Sequence, residues 1–261
     1  MTIIKNELNQ RKIPLIIWTV ALSFFLMVCI FIFPEMKSQM GDLNDMFASM
    51  GSFSSAFGMD QLNFGTLVGY YAIECGNVLG LGGAFFAALY GASALSKEEK
   101  EKTAEFLFTH PVSRKRIITE KLMALLMQIT VMNVIVYALS NCSMAVIGEE
   151  IPFKEVTLLH LSYYILQLEL AAICFGISAF SKKGSAGTGI GIAVIAYFLN
   201  IIANIAEVVE FLKYITPFGY CDGANIVNNG CIDGVILAIG IAMGICGIIL
   251  AYLKYTKKDI S

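Results

Sequence analysis

Six long apolar runs dominate this chain, and each is long enough to cross a lipid bilayer as a helix. A helix rises ~1.5 Å per residue, so ~20 residues cross a hydrocarbon core of ~30 Å. The runs lack the polar–apolar alternation of a membrane-barrel strand, and a helix satisfies its own backbone hydrogen bonds in lipid. The sequence therefore predicts an all-α polytopic membrane protein, with one transmembrane domain over residues 1–261. The predicted spans are 13–33, 70–95, 122–146, 158–180, 186–206 and 234–253.

Composition supports the membrane class. Hydrophobic residues make up 57% of the 261 residues, which is too apolar for a water-soluble chain of this length. The net charge of −2 averages a basic inner face and an acidic outer face, so it indicates no nucleic-acid partner. We expect a multi-pass protein of the bacterial cytoplasmic membrane, surrounded by the lipid bilayer.

Lysines and arginines predict the orientation. Fifteen of the 18 lie before the first run, after the sixth, or in the loops after the second and fourth runs. The other three loops hold one each, namely Lys37, Lys154 and Lys213. Because cations resist transfer across the membrane during insertion, the cation-rich side is predicted to be cytoplasmic. Both termini are therefore expected to be cytoplasmic.

The sequence contains no motif of a membrane enzyme. Its two histidines, His110 and His160, do not form the His-Glu-x-x-His pattern of a metalloprotease, and Gly-x-Ser-x-Gly is absent. We therefore expect no catalytic, metal-binding or cofactor-binding residues in this chain. Cys221 and Cys231 share a predicted outer loop, where either a disulfide bridge or two free thiols fits the pattern.

The longest predicted cytoplasmic loop, residues 96–121, is typical of a helix, a sharp elbow and a second helix. Ser96 followed by Glu99 predicts a capping box at the start of the first helix. Glu98 and Lys102 predict a favourable i,i+4 pair on it. We expect this loop to form a bent structure that leads into the third span.

The elbow itself follows from a proline and an N-cap. The first helix is expected to end at about Thr109, before Pro111, and Ser113 is the predicted N-cap of the second helix. The cations at 114–116 then occupy a first turn, where the helix macrodipole disfavours them. They are explained either by contacts with anionic headgroups or by an acidic groove on a cytoplasmic partner.

A second loop, predicted outside, carries an amphipathic pattern. From about 205 to 216, charged and apolar residues recur at helical spacing, and Pro217 ends the pattern. The sequence predicts a short helix along the outer interface.

Residues 98–114 resemble the first cytoplasmic loop of ABC-2 type exporter permeases. That loop has an acidic helix with a Thr-x-Glu step, a Leu-rich turn, Pro-Val-Ser-Arg, and a lysine that enters the next span. Lys102 stands where the family usually has glycine. Residues 214–218, Tyr-Ile-Thr-Pro-Phe, resemble the family's outer Pro-Phe segment. The layout is most similar to short permeases of bacterial bacitracin-resistance and sodium-export systems.

The resemblance implies a type V ABC exporter-like fold and half of a transporter. Such a permease pairs with a second copy or a related permease, and each docks one ATP-binding cassette ATPase that holds ATP and Mg. The chain has no Gly-x-x-x-x-Gly-Lys-Ser/Thr, so its energy would come from that separate subunit. The permease would move an amphipathic, peptide-like or ionic substrate outward. The elbow would pass the ATPase's movement to the first three spans.

The resemblance also assigns residues to the contact with the ATPase. They are Glu98, Glu101, Glu105, Phe106, Leu107, His110, Pro111, Arg114 and Arg116.

Inside the predicted spans, Glu74, Asn77 and Glu169 form a candidate polar site. A carboxylate inside a bilayer costs a few kcal/mol, so it is protonated, paired or beside an aqueous path. A different function would use Glu74 and Glu169 in a proton- or ion-coupled secondary transporter. No sequence repeat relates the two halves of the chain, and such a carrier would not need the charged elbow.

Overall fold

The computed structural model of the protein describes residues 2–37, 49–101, 112–181 and 186–258, which form helices joined by turns. Six helical segments are long and apolar enough to cross a membrane, as predicted: α2, the α4–α5 segment, α7, α8, α9 and α11. The α-helices in chain order are α1 (Thr2–Gln10), α2 (Lys12–Lys37), α3 (Ser52–Ala56), α4 (Leu67–Cys75), α5 (Gly83–Ser93), α6 (Lys97–Lys100), α7 (Arg114–Val146), α8 (Phe153–Ser178), α9 (Ala186–Ile205), α10 (Gly223–Asn229) and α11 (Gly234–Lys257).

Helix α8 packs against α5, α7 and α11, while α9 lies on α5 and α2 lies on α7. Glycines allow the close approach of α8 and α11. A Cβ at Gly176 would lie 2.5 Å from the carbonyl oxygen of Gly247, which real side chains do not tolerate. Small residues at such crossings let backbones meet and gain dispersion contacts in lipid.

The second span is not one continuous α-helix, because a π-helical segment, Gly76–Gly82, separates α4 from α5. Tyr163 packs against this segment: a Cβ at either Gly76 or Gly80 would lie 2.9 Å from a Tyr163 atom. Gln167 Nε2 donates a hydrogen bond to the Leu79 carbonyl oxygen at 3.3 Å. The wider turn is thus stabilised by side chains of α8, which the sequence of the second span does not reveal.

We call the end of the bundle that holds residues 96–101 and 112–121 the elbow end. There the capping-box prediction is wrong. Ser96 has α-helical φ and ψ with no side-chain cap, and its hydroxyl bonds back to the Ala92 carbonyl oxygen at 3.4 Å. It therefore continues the turn after α5, and α6 extends only from Lys97 to Lys100. The rest of the predicted first helix, with Lys102 of the predicted i,i+4 pair, lies outside the described residues.

The second half of the elbow forms as predicted. Ser113 has an extended backbone, and its Oγ accepts a hydrogen bond from the Arg116 backbone N–H at 3.3 Å. This bond satisfies one of the free donors at the start of α7.

At the opposite end, which we call the far end, the predicted interfacial segment is helical but in the tighter 3₁₀ form, over Glu207–Tyr214. Its backbone bends at Val209, where φ is −114° and ψ is 17°. Val208 is 91% exposed, which leaves an apolar side chain free to enter an interface. Cys221 and Cys231 are both free thiols, the first buried and the second exposed.

Candidate functional site

A buried lysine at the elbow end joins three parts of the chain. Lys121, on α7, has a side chain that is 2% exposed. Its Nζ lies 3.1 Å from Glu7 Oε1 on α1 and 2.8 Å from the Ala94 carbonyl oxygen after α5, and it also contacts Glu98 Oε1 on α6. An ammonium has three N–H donors, so two carboxylates and one carbonyl satisfy it. We call Lys121, Glu7 and Glu98 the Lys121 cluster.

Helix α1 is held by further polar contacts. Arg11 lies over the Tyr90 ring at 4.6 Å and pairs with Glu7 at 3.5 Å. Glu120 accepts hydrogen bonds from the backbone N–H groups of Ile3 and Ile4 at 3.2 and 3.4 Å. A carboxylate at a helix N-terminus is favoured by both the free N–H groups and the macrodipole. The start of α7 thus anchors the start of α1.

A second buried lysine, Lys258, joins another three parts. Its Nζ forms an ion pair with Glu99 Oε1 at 2.6 Å, without the angle of a hydrogen bond. The same Nζ donates to the Ser181 carbonyl oxygen at 3.0 Å. Arg114 Nη1 donates to the carbonyl oxygens of Lys258 and Thr256 at 2.5 and 3.2 Å. We call Lys258, Glu99 and Arg114 the Lys258 cluster.

The Lys258 cluster accounts for one of the three cations in the first turn of α7. Arg114 is unfavourable for the macrodipole of α7, but it lies at the C-terminus of α11, where a cation is favourable and the last carbonyls need donors. Arg116 pairs with Glu120 at 2.8 Å, and Lys115 is exposed. Cations at this position are therefore partly compensated within the chain.

The structure divides the residues assigned to the ATPase contact into three groups. Glu98 and Arg114 are at least half-buried and have intramolecular partners, whereas Glu101 and Arg116 are exposed at the elbow end, where Arg116 also pairs with Glu120. The remaining five lie outside the described residues: Glu105, Phe106, Leu107, His110 and Pro111. The contact itself stays a prediction.

The candidate polar residues inside the spans do not meet at one site. Glu74 is partly buried and accepts a hydrogen bond from Cys29 Sγ on α2 at 3.4 Å. Asn77 is exposed, in the π-helical segment. Glu169 is 4% exposed and lies between α8 and α11, where a Cβ at Gly240 would overlap its Oε2. Each carboxyl group therefore belongs to a different helix contact.

Glu169 accepts a hydrogen bond from the Tyr220 hydroxyl at 2.9 Å. Its other oxygen has no hydrogen-bond partner within the described part of the chain. This hydrogen bond joins the loop at the far end to the bundle. The Tyr220 hydroxyl was not identified as a partner from the sequence, because it lies in a loop far along the chain.

Two polar pairs also connect the spans. Asn133 Nδ2 donates to Gln167 Oε1 at 2.7 Å, which orients Gln167 toward the π-helical segment. The Tyr71 hydroxyl and His160 Nε2 are 2.8 Å apart and buried. Neither pair includes a carboxylate.

A small polar cleft of about 70 Å³ opens toward the far end, between α4 and α9. Three asparagines line it, Asn77, Asn200 and Asn204, together with Tyr163 and Tyr197. Asn204 donates to the Ala56 carbonyl oxygen at 3.4 Å, whereas the amides of Asn77 and Asn200 have no hydrogen-bond partner among the described residues. The two amides in this cleft can bind a ligand that both donates and accepts hydrogen bonds.

The fold defines a six-span membrane protein with a tethered elbow, and comparison with known families identifies its class. Residues 1–260 match the family described as ABC-2 family transporter protein. The chain belongs to this family, so it is the membrane-embedded permease subunit of an ABC transporter and is not itself catalytic. An ABC ATPase is the partner that this family implies. No curated protein matches the chain.

Proposed function

We propose that this chain is the membrane half of an exporter in the bacterial cytoplasmic membrane, with both termini in the cytoplasm. A second copy or a related permease completes the membrane part, and an ATPase subunit binds each elbow. The substrate is amphipathic, peptide-like or ionic and moves outward at the expense of ATP. The observation that carries this proposal is the tethering of the elbow to the spans by the Lys121 and Lys258 clusters.

A loop that only connects two spans gains little from such contacts. Holding two lysines and their carboxylates away from water costs desolvation energy, which ion pairing at best offsets. A loop that must transmit force, in contrast, needs a stiff link to the helices it moves. The elbow has this link on both of its described arms, through Glu98 and Glu99 on one arm and through Arg114 and Lys121 on the other.

The cleft between α4 and α9 supports an outward path for a substrate with amide or hydroxyl groups. The π-helical segment carries Asn77, and π-helical turns in α-helices are frequent at functional sites. The amides of Asn77 and Asn200, which have no partner among the residues that the structure describes, suit a peptide-like backbone better than a bare hydrocarbon. A secondary transporter gains no support, because Glu74 and Glu169 lie in separate contacts and the family is one of ABC transporters.

The docking of the ATPase is tested by replacing two exposed cations that belong to neither the Lys121 cluster nor the Lys258 cluster. The variant Lys115→Glu/Arg116→Gln changes the charge of the exposed elbow surface. The control Lys5→Glu/Lys12→Gln makes the same change on exposed residues of α1 and α2. Each is co-expressed with the transporter's ABC ATPase subunit and purified through a tag on the permease.

We expect the elbow variant to lose the ATPase while the control retains it, since charge–charge contacts at an interface are local. Equal retention by both variants would refute docking at this surface. Equal loss from both would show a general effect of charge at the membrane instead.

A further inference from the structure

The two neighbouring glutamates of α6 hold different halves of the bundle. Glu98 contacts Lys121 at the start of the third span, which in turn pairs with Glu7 on α1. Glu99 pairs with Lys258 at the end of the sixth span. Adjacent residues on a helix point about 100° apart, so one short helix can reach both sides.

Lys258 connects the elbow to two spans of the C-terminal half. It directly follows α11, and its Nζ also donates to the carbonyl oxygen of Ser181, three residues after the end of α8. Its own carbonyl oxygen accepts a hydrogen bond from Arg114, at the other described arm of the elbow. One residue therefore touches both arms of the elbow and the ends of α8 and α11.

Burial reduces the screening of the attraction between Lys258 and Glu99, compared with an ordinary surface ion pair. Lys258 is 7% exposed, whereas exposed pairs are screened by water and salt and contribute little. Lys257, the preceding residue, is exposed. Two adjacent lysines at the end of α11 thus differ in burial. The contacts of Lys258 therefore depend on its buried position, and a cation at the neighbouring position does not replace it.

We propose that Lys258 is a positioning residue for coupling, which makes the elbow move the fourth and sixth spans together with the first three. The resemblance to exporter permeases implied movement of the first three spans. This inference rests on the proposed function, since it requires an ATPase that moves the elbow. Movement of the elbow can reach other elements through packed and ion-paired contacts, and the Lys258 cluster is such a contact between the elbow and the C-terminal half.

The test uses the complete permease–ATPase complex in lipid vesicles, with and without a non-hydrolysable ATP analogue and Mg²⁺. Hydrogen–deuterium exchange is followed in three peptides: the elbow at 96–101, the end of α8 at 175–181 and the end of α11 at 250–258. The variants are Lys258→Met and Glu99→Gln/Lys258→Met. The double variant leaves no buried charge unpaired, so it folds even if the single one does not. Lys257→Met is the matched control, and Lys258→Arg tests rescue.

In the wild type and in Lys257→Met, we expect the nucleotide to change exchange in all three peptides. In both Lys258→Met variants, the change at 96–101 remains and the changes at the ends of α8 and α11 are lost. Lys258→Arg restores them, because it retains a cation that pairs with Glu99.

Two results separate the possible failures. A nucleotide response at the ends of α8 and α11 that survives in Glu99→Gln/Lys258→Met overturns the role of Lys258. No response at 96–101 in the wild type, or no ATPase in the complex, instead contradicts the proposed function and removes the basis of this inference.

Discussion

Replacing Lys121 by methionine tests the buried cluster at the elbow most sharply. Lys121→Met retains an unbranched side chain but removes the ammonium, so Glu7 and Glu98 lose their shared partner. Breaking a buried ion pair by removing one side costs about 3–5 kcal/mol. Arg11 lies 3.5 Å from Glu7 and offsets part of this cost. We therefore expect the free energy of unfolding to fall by about 3 kcal/mol, at the lower end of that range.

The loss is measured by thermal unfolding of the detergent-solubilised protein. Trp18 is the single tryptophan of the chain, and its ring centroid lies 6.0 Å from that of Phe86. Its fluorescence therefore reports on the contact between α2 and α5. A loss of 1 kcal/mol lowers the melting temperature by about 2–4 °C in chains of roughly this size, so Lys121→Met should melt about 6–12 °C below the wild type.

Two controls decide whether ion pairing is the cause. The triple variant Lys121→Met/Glu7→Gln/Glu98→Gln removes every charge of the cluster and should recover most of the loss, because neutral groups of similar shape avoid an unpaired buried charge. Lys37→Met breaks the exposed pair with Glu149, which is 2.7 Å long, and should cost less than about 1 kcal/mol. If the single and triple variants melt at the same low temperature, packing rather than charge explains the effect.

Two further predictions concern the π-helical segment and the cleft. Gly83 directly follows the π-helical segment, and Gly83→Ala should destabilise the protein by about 1–3 kcal/mol, because the new Cβ would overlap Gln167 Nε2. The control is Gly191→Ala, at a helical position with nothing within 4 Å of the new Cβ. It should be neutral or stabilising by up to about 1 kcal/mol. Equal melting temperatures for the two variants would contradict this packing. Asn77→Leu should lower ATP-dependent export in reconstituted vesicles by roughly tenfold, as the loss of about 1.4 kcal/mol of binding predicts, with normal recovery of the ATPase. Unchanged export would exclude the cleft from the path.

The helical spans could be predicted from sequence because their signal is local. Length and hydrophobicity decide whether a segment spans a bilayer, and the Ser113 cap depends on residues within one turn. The same local rule failed at Ser96, since Ser96 belongs to the turn that follows α5 and Glu99 pairs with Lys258 instead. A capping box describes what a serine and a glutamate can do when no stronger partner is near.

The candidate site could be predicted only in part. The sequence identified the elbow and its cations, but not that Arg114 would bind the end of α11 or that Lys121 would be buried. Both contacts join residues far apart in the chain, so no spacing rule reveals them. The π-helical segment was missed for a similar reason, because its stabilising side chains, Tyr163 and Gln167, belong to another span.

Direct crosslinking from the elbow tests the central claim, that a separate ATPase docks there. A photoreactive residue is placed at Glu101, which is exposed at the elbow end, and as a control at Val208, which is 91% exposed at the far end. After irradiation of whole cells, we expect a covalent adduct between the permease and the ATPase from position 101 and none from position 208. Absence of the adduct at 101, in cells where both subunits are present, or an equal adduct at 208 would contradict the account.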